Sequence, residues 1–175
     1  MRLIGLSGWS DSGKTTLITA LIPALTRRGR TVSTVKHAHH AFDIDKPGKD
    51  SFVHRESGAQ EVLISSERRW ALMRELREEP EPRLQELLAH LGPVDLVLVE
   101  GFKREVHPKI EIHRAVIGKP LLYPDDPQIL AIASDPPLAD APIPHVGLND
   151  VEAIADLVEG RAVEMDQIAW GPLRP

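Results

Sequence analysis

Eight residues constrain this chain more than any others. Gly8-Trp9-Ser10-Asp11-Ser12-Gly13-Lys14-Thr15 follows the spacing G-x-x-x-x-G-K-[ST] and lies between a short apolar run and an amphipathic stretch. That flanking context is what the pattern requires, because the loop must leave a buried strand and open a helix. Residues 3–7 carry no charge, as a strand covered on both faces would. From Lys14 onward Leu17, Ile18, Leu21, Ile22 and Leu25 recur at helical spacing, Arg27 and Arg28 occupy the last turn, and Gly29 stands where a helix C-cap falls. Pro23 removes one amide donor inside that helix and is expected to bend or shorten it.

The chemistry of the loop follows from its residue types. Glycines at 8 and 13 permit tight turning and close approach of backbone amides, and those amides with the helix N-terminus receive phosphate oxygens. Lys14 supplies positive charge between β and γ phosphates, and the Thr15 hydroxyl joins a magnesium shell. The loop therefore points to a nucleoside triphosphate, held by Gly8, Trp9, Ser10, Asp11, Ser12, Gly13, Lys14, Thr15 and Thr16. Trp9 is bulky for such a loop; packing over the site and packing against a neighbouring copy are both open to it.

A second constraint is the apolar run at residues 94–101, which delivers Glu100 at its C-terminal end. A carboxylate there can face the phosphate loop and make the second magnesium contact; helix capping and surface ion pairing are the alternatives. Asp95, at the other end, falls roughly 16 Å away along the strand. Asp43, Asp45 and Asp50 sit in the polar, turn-rich segment 36–50, where hard oxygen ligands or a water-orienting carboxylate are available. Spacing does not choose among them; Asp45 is the first choice for magnesium and for the catalytic role beside Lys14. His37, His39 and His40 lack a fixed helical or turn spacing and do not define a tetrahedral zinc site. Lys36, Lys46, Lys49, Lys103 and Arg104 are open to either an anion or solvent.

Elsewhere the pattern predicts strands at 31–35, 61–65, 70–73, 109–113, 117–122 and 129–133, and helices at 51–57, around Leu84, Leu87, Leu88 and Leu91, and at 151–158. Alternation of this kind predicts an α/β fold, a mostly parallel central sheet flanked by helices; the strands near 61–73 and 109–122 predict a short antiparallel extension. The Pro-rich stretch 124–144 reads as loops around one edge strand. A chain of 175 residues suits a single domain spanning 1–175. With 21 Lys and Arg against 26 Asp and Glu, and a formal charge of -5, the whole chain is not a cationic binder of nucleic acid or membrane. No cysteine is present, which removes disulfides, thiolate nucleophiles and thiolate metal sites. No run approaches the ~20 apolar residues of a membrane span, and no export signal is evident, so a cytoplasmic protein is expected.

Taken together, the loop, the segment Val35-Lys36-His37-Ala38-His39-His40, the block Phe42-Asp43-Ile44-Asp45-Lys46-Pro47-Gly48-Lys49-Asp50-Ser51, and Glu56-Ser57-Gly58-Ala59 carry a resemblance. With Asp95-Leu96-Val97-Leu98-Val99-Glu100-Gly101-Phe102-Lys103 and Pro108-Lys109-Ile110-Glu111, the chain resembles the MobB family of molybdopterin-guanine dinucleotide biosynthesis, in the P-loop NTPase superfamily. The resemblance implies GTP and Mg2+ as ligands, weak GTPase activity, a homodimer, and an accessory relation to a MobA-like nucleotidyl transferase that carries the dinucleotide-forming chemistry. It also places molybdopterin or molybdoenzyme-maturation proteins among candidate partners. Guanine selectivity comes from the resemblance alone, since the N-K-x-D base-reading pattern is absent; Asp135, after the strand at 129–133, is the candidate base contact, with a loop cap as the alternative. A small-molecule kinase and a nucleotide-responsive adaptor without significant catalysis share every phosphate contact and stand as rivals. Arg55, Arg68, Arg69 and Arg104 are available as catalytic arginines, and none is selected.

Overall fold

The computed structural model describes residues 1–38 and 42–172. His39 and His40 lie outside the described residues. The chain divides into two compact units, one of Met1–His37 with Leu84–Pro175 and one of Ala38–Arg83.

The first unit is built on a sheet of β1 (Arg2–Ser7), β2 (Val32–Lys36), β5 (Leu96–Glu100), β6 (Lys109–Arg114), β7 (Ile129–Asp135), β8 (His145–Gly147) and β9 (Val163–Glu164). The order is β2-β5-β1-β6-β7-β8 with every neighbour parallel, while β9 pairs antiparallel with Arg2 and Leu3 of β1. Around it lie α1 (Lys14–Arg27), α3 (Leu84–Leu88) and α4 (Val151–Arg161). The two-residue period of the strands sorts the core into two layers. Ile4, Leu6, Leu96, Leu98, Ile110 and Ile112 face Leu17, Ile18, Leu21 and Leu25 of α1 and Ile154, Ala155 and Val158 of α4. Their neighbours in sequence, Leu3, Val97 and Val99, face Leu84 and Leu88. Each fully buried aliphatic side chain contributes about 1.5–3 kcal/mol.

α1 runs through Pro23 to Arg27 without interruption. Pro23 is exposed, while Leu21, Ala24 and Leu25 hold the opposite side of the helix in the core; this anchoring offsets the lost amide bond. Gly29 takes the left-handed conformation at φ 79°, its amide donates to Thr26 O at 2.9 Å, and the Arg30 amide donates to Leu25 O at 3.1 Å, a helix end of the Schellman type. Gly5 is required for space: a Cβ there would fall 2.4 Å from Nε2 of His107. That histidine is fully buried with neither ring nitrogen hydrogen-bonded, and burial, followed by the charge of Lys109, pushes its pKa down to about 3.

Three sequence expectations are corrected here. Residues 117–122 form no strand: Ala115–Ile117 is a 3-10 turn, Gly118 turns left-handed at φ 67°, and the buried Glu111 carboxylate accepts the amides of Leu122 and Tyr123 at 2.7 and 2.9 Å. Those amides are therefore committed to a side chain instead of a ladder. β6 does not join an antiparallel extension, since it pairs parallel with β1 and β7 inside the central sheet. Nor is β7 an edge strand; β8, immediately after Pro144, is the edge.

In the second unit, α2 (Asp50–Glu56) precedes an antiparallel hairpin of β3 (Glu61–Ser65) and β4 (Trp70–Arg74). This hairpin is the short antiparallel extension that the strand pattern predicts. Arg55 joins the unit's loops, pairing with Asp43 at 2.9 Å and Glu75 at 3.0 Å and lying 5.2 Å from the Phe52 ring centroid. Among the described residues no helix is long and apolar enough to cross a membrane.

Candidate functional site

Because the strands are parallel, the C-terminal ends of β1, β2, β5, β6, β7 and β8 lie along one edge of the sheet, where α/β proteins place ligands. The glycine loop leaves β1 at that edge. Gly8 tolerates no side chain, since a Cβ would stand 2.4 Å from Ile112 O of the adjoining strand and 2.6 Å from Ser12 Oγ. Gly13 has φ 92°, a left-handed value that a side chain disfavours, and serves as the N-cap of α1 without any side-chain cap. The first amides of α1 thus have no side-chain cap.

Lys14 turns back over the loop. Its Nζ donates to Trp9 O at 2.8 Å, Gly8 O at 3.1 Å and Ser12 Oγ at 3.4 Å. Burial, and next the like charge of Lys103, hold its pKa below the ordinary lysine value. Glu100 shares strand parity with Leu96 and Leu98 and so faces α1. Its Oε1 accepts the Thr15 hydroxyl at 2.8 Å and its Oε2 pairs with Lys36 at 3.5 Å. Thr15 and Glu100, 85 residues apart, thereby present two hard oxygen donors at the mouth of the loop. Among the described residues no three His, Asp or Glu side chains converge on one point. A hydroxyl and one carboxylate fit magnesium as phosphate-binding loops hold it, with phosphate and water completing the shell.

At the far end of β5, Asp95 accepts the amide and hydroxyl of Thr31 at 2.8 and 2.7 Å, and these bonds, the backbone one foremost, hold its carboxyl below the usual range. It locks β2 to β5 at the edge opposite the loop. Asp45 belongs to the second unit, where its Oδ1 accepts the Ser51 hydroxyl at 2.8 Å and the Lys46 amide at 2.9 Å, and its Oδ2 is buried without a partner. Asp43 accepts the Asp45 amide at 3.0 Å and pairs with Arg55, and these contacts lower its carboxyl, the backbone bond most. Asp50 opens α2.

One residue escaped the sequence reading. Arg114, the last residue of β6, donates from Nε to Ser12 O at 3.3 Å and pairs through NH1 with Asp135 at 3.3 Å. It spans the space between the glycine loop and the end of β7. Its signal was a basic residue closing a strand next to β1, legible only once the strand order is known. Of the arginines named from sequence, Arg55 is committed to Asp43 and Glu75, Arg68 and Arg69 occupy the hairpin turn, and Arg104 is exposed. Beyond Asp135 lies a cleft of about 600 Å³ bordered by Ser134, Gly147, Asn149 and Asp150. The Ser134 hydroxyl is buried there with no partner.

A parallel sheet with a glycine loop opening α1 and a strand-end carboxylate on its first-turn threonine defines a P-loop NTPase-like α/β protein. The model of the MobB family, molybdopterin guanine dinucleotide synthesis protein B, matches residues 3–135. The molybdopterin-guanine dinucleotide biosynthesis adapter protein of Escherichia coli K12 is 44% identical over 159 residues, 89% of this chain and 90% of that one. Its counterpart in Haemophilus influenzae is 43% identical over 160 residues, covering 90% of this chain and 87% of that one. A crystal structure of molybdopterin-guanine biosynthesis protein B aligns at TM-score 0.70 and 30% identity over 90% of this chain and 98% of its own. The chain belongs to the MobB family, whose members serve molybdopterin-guanine dinucleotide biosynthesis.

Proposed function

We propose that this chain binds Mg-GTP in the loop from Gly8 to Thr16 and acts in the cytoplasm as an accessory protein with weak GTPase activity in forming molybdopterin guanine dinucleotide. The Thr15 hydroxyl on the Glu100 carboxylate, at 2.8 Å, carries this reading, since it joins the first turn of α1 to a carboxylate at the end of β5. Lys14 and the uncapped amides of α1 bind the β and γ phosphates, with Trp9, Ser10, Asp11, Ser12 and Thr16 shaping the loop. Thr15 and Glu100 hold magnesium, and Asp45 is the candidate for a further metal or water-orienting contact. Magnesium, when bound, neutralises charge on the β and γ oxygens.

The guanine sits in the cleft beyond β7. A carboxylate accepts hydrogen bonds from the N1 and exocyclic amino protons of guanine, and adenine has no such pair on that edge. Asp135 offers this carboxylate, with one oxygen engaged by Arg114, and the Ser134 hydroxyl is free for a further contact. Slow hydrolysis fits a site whose strongest features bind and orient phosphate, while the candidate water-orienting carboxylate, Asp45, has one oxygen engaged by the Ser51 hydroxyl and the Lys46 amide. The working assembly is a homodimer that presents nucleotide to a MobA-like nucleotidyl transferase, the partner that handles molybdopterin. Calorimetry with Mg-GTP and Mg-ATP, paired with a γ-phosphate label, tests the reading. Tight GTP binding with label released as inorganic phosphate supports it. Label transferred to a small acceptor identifies a kinase, and retained partner binding without nucleotide uptake leaves an adaptor alone.

A further inference from the structure

The roles of Gly8, Gly13, Lys14 and Thr15 follow from backbone geometry and contacts, but nothing in phosphate binding by backbone amides calls for an indole at position 9. Trp9 is nonetheless held by three contacts. The Nζ of Lys103 lies 4.9 Å from its ring centroid and that of Lys119 5.7 Å, and its Nε1 donates to Pro120 O at 2.8 Å. The two lysines come from different segments, one following β5 and one following β6. Each segment is fixed on its own account. Gly101 and Phe102 both have positive φ, at 90° and 50°, a Cβ on Gly101 would stand 2.8 Å from Cβ of His37, and the Phe102 ring lies 5.1 Å from the His37 ring. The segment carrying Lys119 is anchored by the Glu111 carboxylate through Leu122 and Tyr123.

Charge sharpens the observation. Among the described residues no carboxylate pairs with Lys103 or Lys119, while Glu100 pairs with Lys36. Lys14, Lys36 and Lys103 lie within electrostatic reach of one another at the positive end of α1, with Glu100 and Asp11 as the acids beside Lys14, and Lys119 shares the Trp9 ring with Lys103. Like charges so gathered repel, and a polyanion relieves the repulsion. An aromatic face suits such a cation because it attracts the ammonium without cancelling its charge, which stays available to a ligand. A carboxylate in the same place would neutralise it.

We propose that Trp9 is a positioning residue that holds Lys103 against the glycine loop, and that Lys103 is a second lysine, supplied within this chain, for the terminal phosphates of the bound nucleotide. Lys119 lies against the same ring, 5.7 Å from its centroid. The inference rests on the phosphate-loop reading, and its test separates the two.

Calorimetric titration of the full chain with sodium tripolyphosphate and with Mg-GTP compares wild type, Lys103→Ala, Lys103→Arg, Trp9→Phe and Trp9→Leu, each checked for folding by circular dichroism. Loss of one charged contact predicts tripolyphosphate binding about tenfold weaker in Lys103→Ala, with most of it restored in Lys103→Arg. Loss of the ring predicts a weakening of about threefold in Trp9→Leu and little change in Trp9→Phe, which keeps a cation-binding face but also lacks the Pro120 bond. Unchanged tripolyphosphate affinity in Lys103→Ala overturns the proposal and leaves GTP binding untouched. Equal losses in Trp9→Phe and Trp9→Leu overturn the role of the ring. Tripolyphosphate binding that depends on Lys103, in a protein that ignores GTP, upholds the inference and removes guanine nucleotide as the ligand.

Discussion

The two ends of α1 handle positive charge in opposite ways. At its C-terminal end Arg27, Arg28 and Arg30 meet Glu152, Asp156 and Glu159 of α4 at 2.6–3.1 Å. These cations also complement the negative end of the helix dipole. Side-chain bonds to Arg30 and Arg28 hold the Glu159 carboxyl below its usual value, and Arg28 does the same for Glu152. At the N-terminal end, Lys14, Lys36, Lys103 and Lys119 gather where the dipole is positive, the first turn carries no acid, Glu100 pairs with Lys36, and Glu100 and Asp11 are the carboxylates acting on Lys14. One end has its arginines matched by direct carboxylate contacts; the other carries more lysines than the acids facing them. Cations in balance on a surface are part of the scaffold, whereas cations assembled against the dipole mark where a ligand belongs.

The comparison is broken most directly at Lys14. Lys14→Ala removes the charge nearest the phosphates, and we expect at least about a hundredfold loss of Mg-GTP affinity by calorimetry, since two or more charged contacts go together. The domain stays folded, because Lys14 bonds the loop and not the core. Near-wild-type binding by folded protein would end the phosphate-loop assignment. Next in size is Glu100→Gln, which keeps the shape but removes the charge facing Thr15. Affinity for Mg-GTP falls about tenfold while metal-free GTP binds as well or better, because one repulsion with the phosphates is gone. Equal losses with and without magnesium would return Glu100 to a structural role.

The contrast between the two helix ends was partly legible in the sequence. The glycine spacing and the apolar period located both ends of α1, and the glycine at 29 marked its stop. The strand ending in Glu100 was readable, and strand parity then explains why its carboxylate faces α1. The fold class followed from alternation of strands and helices. What escaped depended on register between strands distant in sequence. Arg114 reaches Ser12 and Asp135 because β6 lies between β1 and β7, and the meeting of Lys103, Lys119 and Trp9 depends on two loop conformations. A short strand is expected at 117–122, but Gly118, Pro120 and the pull of Glu111 on two amides give a turn instead. β8 was missed because its three residues follow a run of prolines and are too short to show a period.

A smaller effect appears with pH. Lys14 is held below the ordinary lysine value by burial first and by Lys103 second. Phosphate needs the protonated form, so GTP affinity declines as pH rises through that lowered pKa, earlier than an ordinary lysine would dictate. In Lys103→Ala the like charge is gone, the Lys14 pKa rises, and the alkaline decline moves to higher pH even though binding at neutral pH is weaker. Titrations across the alkaline range measure both. A decline at the same pH in the two proteins would mean that Lys103 does not sense Lys14.

The smallest effect is expected at the balanced end. Arg28→Ala removes a guanidinium that touches Glu152, Asp156 and Glu159, yet Glu152 and Asp156 are exposed and Arg28 and Glu159 only partly covered, so solvent screens their attraction, and ordering long side chains offsets much of it. The melting temperature should fall by no more than a few degrees. That difference should fade in about 1 M salt, where the Debye length is about 3 Å. Affinity for Mg-GTP should not change, because the lost charge was already compensated and lies a helix length from the loop. The same salt should weaken tripolyphosphate binding at the other end, where Glu100 and Asp11 face the charges of Lys14, Lys36 and Lys103. A variant at Arg28 that altered nucleotide affinity would show the two ends of α1 to be coupled, and the division between scaffold and site would have to be redrawn.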